Sequence, residues 1–551
     1  MSAPYAEAIL DTHEVTNQPP PFAGFNAYDN DRALIEGVRR EGAAWAEERL
    51  RALGAVAGDA ETQEQARLAN RNLPELRTFD AYGRRVDLVA FHPAWHALMA
   101  KAYGHAVHSL AWTERRSGAH VARAGLSYLW NQVENGVGCP TGMSFAAIPA
   151  LRADPELAVA WEAPLLSTRY DPRPIPVAEK TGATVGMTFT EKQGGSDLRA
   201  NTMRAVRADG GYRLSGHKWF CSAPMSDVFF TLAYVDDRPT CFLVPRSLPD
   251  GTRNRFFIQR LKDKCGNRSN ASSEIEFSNT FAVRVGEEGR GIPNAIRMAH
   301  YTRFDFIFGS AGIMRQALSL AIHHARNRRA FQRALVDQPL MTGVLADLAL
   351  EAEAALALGL RVARALDEAG DPEAALFERL MTSAAKYWVC KRAPAFVAEA
   401  LECHGGNGFV EELPLARLYR EAPLNGIWEG SGNVICLDVV RALRREAGCA
   451  DVLFAEFDRA RGAERRFDQF VDALKVDFPA LMADEGRARE LTERIALAAQ
   501  AALLLRHAPN FVADGFCASR LGGGGGRHFG ALPRGLSLRA IIERAGAYGD
   551  G

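Results

Sequence analysis

The spacing of apolar residues divides the chain into three textures. From Asp31 to about Ala163 apolar positions recur at helical spacing, as in ALIEGVRREGAAWAEERLRALG and WHALMAKAYGHAVHSLAW, which predicts amphipathic helices. Ahead of it, Pro19, Pro20 and Pro21 with Phe22 and Phe25 predict an extended arm, because consecutive prolines cannot sustain a regular helix. Gly136–Pro149, punctuated by Gly and Pro, predicts a break between helices. Past Pro172 the pattern shortens. YRLSGHKWFCS, DVFFTLAYV, TCFLVP, RFFIQRL and SSEIEFSNTFAV read as strands, some divided by ADGG and VDDRP turns. They predict a small antiparallel β domain, a barrel or sandwich. Helical spacing returns over 292–328, 336–369, 373–404 and 432–446, four helices with short connections that predict a bundle. Beyond Ala447, EFDRARGAERRFDQFVDALK and RARELTERIALAAQAALLLRH predict further helices, and the unbroken run Gly522–Gly526 predicts a flexible linker.

The expected fold is therefore α+β and multidomain. Residues 1–179 form an arm and helical domain, 180–288 the β domain, 289–446 the bundle and 447–551 a helical extension. A length of 551 residues suits three or four domains. Lys plus Arg and Asp plus Glu number 66 each, which argues against a strongly basic DNA coat or an acidic tail. The nine cysteines include no CxxC and suit free thiols, hence a reducing, cytoplasmic compartment. MSAPYAEAILDTHEV does not read as a secretory signal, and no apolar stretch is long enough to predict a membrane span.

No GxGxxG follows a predicted strand, and HExxH, GxSxG and GxxxxGK[ST] are missing, so dinucleotide-fold, zinc-protease, serine-hydrolase and P-loop readings lose their usual support. Three segments could carry chemistry. Thr190-Glu191-Lys192-Gln193-Gly194-Gly195-Ser196-Asp197 opens the β domain. Its glycines allow close backbone approach to a ligand and its hydroxyls can donate, although GGSD is also ordinary turn chemistry. Trp219-Phe220-Cys221-Ser222 could pack against a flat aromatic ligand or serve as strand core. In Ile427-Trp428-Glu429-Gly430-Ser431-Gly432-Asn433 a lone glutamate stands beside an aromatic residue just before a predicted helix. Desolvation there would lift its pKa toward that of a base acting on carbon; the alternative is a first-turn glutamate favoured by the helix dipole.

In order and spacing these segments resemble the acyl-CoA dehydrogenase family. TEKQGGSD looks like its flavin loop, GHKWFCS like its flavin strand, RNRRAFQRALVDQPL like its RxxFGxxLxxxQ segment, HGGNGF like its GG turn and IWEGSGN like its IYEGT base segment. TRFDFIFGSAGIMRQAL is similar to its first bundle helix. Together with RLKDKCGNRSNASSEIEF and the C-terminal extension, they point to the AidB branch, the adaptive-response flavoproteins linked to DNA alkylation damage.

The resemblance implies FAD held by Met187, Thr188, Phe189 and the loop through Ser196, by Phe220, Cys221 and Ser222, and by Ile427–Leu437, with Thr190, Ser196, Ser222 and Asn433 as the best single contacts. It implies that Glu429 is the base in α,β-dehydrogenation of an acyl-CoA, short or branched, and that Arg303 lies near the CoA moiety; an ion pair of Arg303 with Asp305 or another helix acid is the alternative. Arg328, Gly405 and Gly406 match residues that reach a neighbouring subunit's FAD, which implies a homotetramer, a dimer of dimers. Among the departures, Gln332 replaces a glycine, and Cys221 stands where many members have a threonine near flavin N5. Phe304, Phe306 and Phe308 either narrow the acyl channel or belong to the core, the latter being commoner for aromatics on a buried helix. A second reading is a DNA-protecting flavoprotein. Arginines at 444, 445, 459, 461, 465, 466, 487, 489, 494, 506, 520, 527, 534 and 539 would meet the phosphates of double-stranded DNA, unless the interleaved acids Asp458, Glu464, Asp468, Glu490 and Glu493 neutralise them.

Overall fold

A computed structural model describes residues 12–546. The arm expected before Asp31 is extended from its first described residue and lies against the bundle, where His323 Nε2 meets the Pro20 carbonyl at 2.8 Å and Phe22 faces the His323 ring. The N-terminal helices start where short acids cap them: Asp31, Asp59 and Asp154 accept from the amides of Leu34, Thr62 and Leu157.

Two expectations for this domain fail. Glu75–Phe79 and Arg85–Ala90 form a hairpin inside the predicted helical region. It is stabilised from outside, as Arg85 donates to the Ile258 carbonyl at 2.8 Å and Asp87 pairs with Arg253 at 2.5 Å. The predicted break at Gly136–Pro149 is instead one buried helix, Asn135–Arg152, running through Pro140 and Pro149. Its glycines serve close packing: a Cβ on Gly142 would meet the Asp305 carboxylate at 2.5 Å. Tertiary burial overrides local propensity here.

The β domain is a seven-stranded sheet. Arg204–Ala208, Gly211–Ser222, Ser272–Arg284, Arg238–Pro245 and Val228–Val235 pair in that order, and the last returns to the first, closing a barrel. Phe256–Leu261 flanks Ser272–Arg284. Most pairings are antiparallel, but Val185–Thr188 runs parallel to Val228–Val235, as the long connection between them permits. Closure fixes which side chains face inward: Cys221 is fully buried, while Phe220 and Ser222 turn outward.

The bundle helices are Gly291–Asn327, Pro339–Asp367, Pro372–Glu402 and Gly432–Arg445. The extension packs directly on them. Cys449, Phe457, Leu491 and Ile542 share one apolar core with Leu34, Phe304 and Val389, and Arg520 and Arg544 pair with Asp347, Glu351 and Glu353 of the second bundle helix. Gly522–Gly526 is no linker between bodies. It folds back, with the Gly526 amide on the Ala531 carbonyl at 2.9 Å, so that Leu538–Ala545 reaches the bundle. No described helix is long and apolar enough to cross a membrane.

Candidate active site

One wall of the site is the outward face of the barrel at the strand Gly211–Ser222. The strand Val185–Thr188 delivers the loop Phe189–Ser196, tied to the outward edge of Gly211–Ser222 by the Thr188 hydroxyl on the Phe220 carbonyl (3.2 Å) and the Trp219 amide on the Thr190 carbonyl (2.8 Å). Glu191 anchors the loop from inside. Its fully buried carboxylate takes Lys218 Nζ at 2.8 Å, the Thr202 amide at 2.6 Å and Gln193 Nε2 at 2.7 Å. Burial would raise this carboxyl, but Lys218 and the converging donors hold it below its ordinary pKa. The same burial lowers Lys218 to about 8. Glu191 and Gln193 are therefore committed to the loop, whereas Lys192, Gly194, Gly195 and Ser196 stay on its accessible side. Gly195 lies under Thr190, whose hydroxyl a Cβ would meet at 2.5 Å.

Phe220, 49% exposed, presents a ring on the outward face with Ser222 beside it. Cys221 points the opposite way, its thiol pushed up to about 12 by burial. The expectation that Cys221 replaces a residue at the ligand is corrected by strand alternation: Ser222 holds that face.

The opposing wall is the segment Ile427–Asn433. Met143, Met187 and Ala223 form a common apolar cluster against which Phe189 and Trp428 pack, so barrel, N-terminal helix and bundle meet here. Trp428 stacks on Phe306 at 4.8 Å and donates Nε1 to Asn425 Oδ1 at 3.0 Å. Of the three phenylalanines, Phe304 and Phe308 are core. Glu429 adopts φ +53°, a conformation costly for a side-chain-bearing residue, and Gly430 follows at φ +114°. Three bonds hold this shape. Arg303 Nε donates to the Glu429 carbonyl at 2.8 Å, and Lys386 Nζ donates to the carbonyls of Trp428 and Gly430 at 3.1 and 2.7 Å. Among the described residues no donor reaches the Glu429 carboxylate, and burial raises its pKa against the opposing pull of Arg303 and Lys386.

Arg303 makes the ion pair with another helix acid that is its second reading. Its acid partner is Asp438 at 3.3 Å, not Asp305, which binds Arg123 and the Ser127 hydroxyl. Lys218, Lys386 and Asp438 escaped sequence reasoning. Lys218 left a signal, a lysine at an inward position of a strand, which demands a buried acid. Cys139 lies near Ser222 and Glu429, with its thiol raised to about 12.

Arg328, Gly405 and Gly406 are not brought to this site. They sit at the far ends of the first and third bundle helices, where the His324 and His404 rings approach to 4.4 Å. At about 1.5 Å per residue, His324 is some ~30 Å along the helix from Arg303. Asn433, at the start of its helix, accepts from Arg489 of the extension at 2.8 Å.

Family models match three consecutive stretches: the N-terminal domain of the adaptive response protein AidB over 17–172, the acyl-CoA dehydrogenase middle domain over 186–280 and its C-terminal domain over 289–444. The putative acyl-CoA dehydrogenase AidB of Escherichia coli is 49% identical over 94% of this chain and 95% of its own. The chain belongs to the acyl-CoA dehydrogenase family, in its AidB branch. Of the solved structures, Caenorhabditis elegans ACDH-11 in complex with C11-CoA superposes with TM-score 0.84 at 26% identity, covering 98% of this chain and 97% of that one. An acyl-CoA dehydrogenase from Bacillus anthracis complexed with FAD shares the fold, with TM-score 0.64, 18% identity and coverage of 82% and 83%. In this member of the family, Phe189 of the β-domain loop and Trp428 of the Glu429 segment pack on one apolar cluster.

Proposed function

We propose that the chain is an FAD-dependent dehydrogenase of acyl-CoA thioesters, with Glu429 as the base. The carrying observation is the Glu429 carboxylate: strained into position, free of donors among the described residues, raised in pKa and adjacent to Trp428, which packs with Met187 of the opposite wall. The residues present suit the cofactor. Phe220 offers a flat apolar face, Ser222, Thr190 and Ser196 offer hydroxyls, and a Cβ on Gly194 would meet nothing within 4 Å, leaving room for close approach to the backbone. FAD, when bound, supplies the hydride acceptor. Glu429 takes the proton α to the thioester carbonyl. Its raised pKa matches it to a weak carbon acid, and the clamp of Arg303 and Lys386 on the flanking carbonyls keeps it in place. The Phe306–Trp428 stack fills space beside the base, which favours a short or branched acyl group. The test is anaerobic titration of the yellow holoprotein with acyl-CoAs of varied length and branching. Bleaching by a short or branched member supports the proposal, and no bleaching by any member removes it.

The remoteness of Arg328, Gly405 and Gly406 from Glu429 in one chain supports their serving a neighbouring subunit's cofactor in a dimer of dimers. Sedimentation showing a monomer that retains FAD would refute this. All nine cysteines are free, in keeping with a cytoplasmic protein.

The second reading, binding of double-stranded DNA, rests on a smaller set of arginines than the sequence suggested. Arg444, Arg459, Arg461, Arg466, Arg487, Arg494, Arg506, Arg520 and Arg539 all pair with acids. Arg445, Arg465, Arg489, Arg527 and Arg534 are exposed and have no acid within 4 Å among the described residues. Duplex affinity that falls steeply with salt, with a slope that shrinks when these five become glutamine, supports DNA binding. A slope unmoved by the five substitutions refutes it. Truncation at residue 447 is a poor test, because the extension shares its core with the bundle.

A further inference from the structure

Among the N-terminal hairpin, the helix Pro93–Gly104 and the start of the barrel lies a cavity of about 300 Å³ that the proposed dehydrogenation does not use. Its size is at the lower end for small-molecule pockets. Glu429, Trp428 and Phe220 do not line it. It comes nearest the cleft at Pro140 and Ala223, the chain neighbours of Cys139 and Ser222. Part of the lining is aromatic: Phe91 stacks on Trp95 with ring centroids 3.9 Å apart, and Tyr170 meets Trp95 edge-on at 6.3 Å.

The lining also contains Arg246, only 6% exposed. Its Nη1 donates to the Met225 carbonyl at 3.1 Å. Among the described residues, Nε and Nη2 have no protein acceptor and no carboxylate lies within 4 Å of the guanidinium. The two acids of the lining are already matched. Asp227 takes Lys180 at 2.5 Å and the Thr184 amide at 2.8 Å, and Asp171 takes Arg173 at 2.7 Å. Burial draws Arg246 down to about 10, which leaves it charged at neutral pH. Asp227 of the same lining acts on Arg246 as an opposing charge, but it lies beyond ion-pair distance and is already matched to Lys180. Among the described residues two donors of the buried guanidinium thus stay without an acceptor, an arrangement that is costly unless a ligand supplies one.

We infer that this cavity binds a small monocarboxylate with a flat apolar body, its carboxylate on Arg246 and its body against Trp95 and Tyr170. The free Nε and Nη2 make one edge of the planar guanidinium fork, which matches two carboxylate oxygens. A dianionic phosphate is disfavoured by Asp171 and Asp227 in the same lining. His96, bonded through Nδ1 to the Tyr170 hydroxyl at 2.9 Å, leaves Nε2 for a further polar contact.

Calorimetric titration of the full-length holoprotein with benzoate, 1-naphthoate and their neutral amides tests the inference. The expected result is that 1-naphthoate binds at least about tenfold tighter than its amide, the effect of a charge-assisted hydrogen-bonded pair. Arg246→Gln is expected to bring the acid to the level of the amide. Binding is expected to persist when the holoprotein is saturated with an acyl-CoA. No heat at millimolar ligand overturns the inference, as does equal affinity for acid and amide, or displacement by acyl-CoA, which would place the ligand in the Glu429 cleft. If Arg246→Gln does not fold, the contrast between acid and amide on the unmodified protein decides alone.

Discussion

Glu191, inside the barrel, and Glu429, on the segment packed against the barrel's loop, show two uses of a glutamate with little access to water. Glu191 has a lysine and several converging donors, and its pKa is lowered; Glu429 has no donor on its carboxylate among the described residues, and its pKa is raised. The first lies inside a closed barrel, where every polar group must be matched. The second lies on a strained loop whose carbonyls are clamped while its side chain is left alone. Burial by itself therefore does not set the direction of the shift; the partners do.

The comparison breaks most visibly at Glu429, the proposed base. Glu429→Gln should retain FAD and the fold yet lose about 10²–10⁴-fold in the rate of flavin reduction by acyl-CoA, the usual contribution of a positioned general base. Stopped-flow absorbance reads this directly, and an unchanged rate would take the role from Glu429. Next in size is Lys218→Met, which leaves Glu191 buried without its cation. A destabilisation of about 3–5 kcal/mol is expected, seen as an earlier urea midpoint and weaker FAD retention.

The two glutamates should also give opposite pH dependences. The folded pKa of Glu191 is depressed, so its stabilisation is present above the ordinary glutamate value and is lost as pH falls through the depressed one. The folded pKa of Glu429 is raised, so the folded chain holds the proton longer and stability falls as pH rises from the ordinary value through the raised one. Denaturation of Glu429→Gln should accordingly show a stability gain over the parent that grows with pH across this window and vanishes below it. A gain independent of pH would mean that the carboxyl is not perturbed.

The smallest expected effect concerns the clamp. Arg303→Gln removes a charged donor from the Glu429 carbonyl and a positive charge that lowers the base's pKa. The acidic limb of the reduction rate should move to higher pH, with a loss of about tenfold at neutral pH, on the order of one charged hydrogen bond. A raised KM for CoA thioesters with no movement of the limb would assign Arg303 to the CoA moiety instead.

Apolar spacing alone determined the textures of the bundle and of the β domain, and the four bundle helices to within a few residues, because amphipathic period is a local property. The facing of side chains was not local. Strand alternation within a closed barrel decided that Ser222 and not Cys221 faces the cleft. Close helix packing made one helix of the Gly/Pro segment at 136–149, and contacts with the barrel made a hairpin of 75–90. Charge along the extension was legible, but its pairing was not: acids distant in sequence, such as Asp347 and Glu351 for Arg520, neutralise arginines that a linear reading leaves free. Pairing, facing and burial depend on which segments meet, and only the tertiary structure sets that.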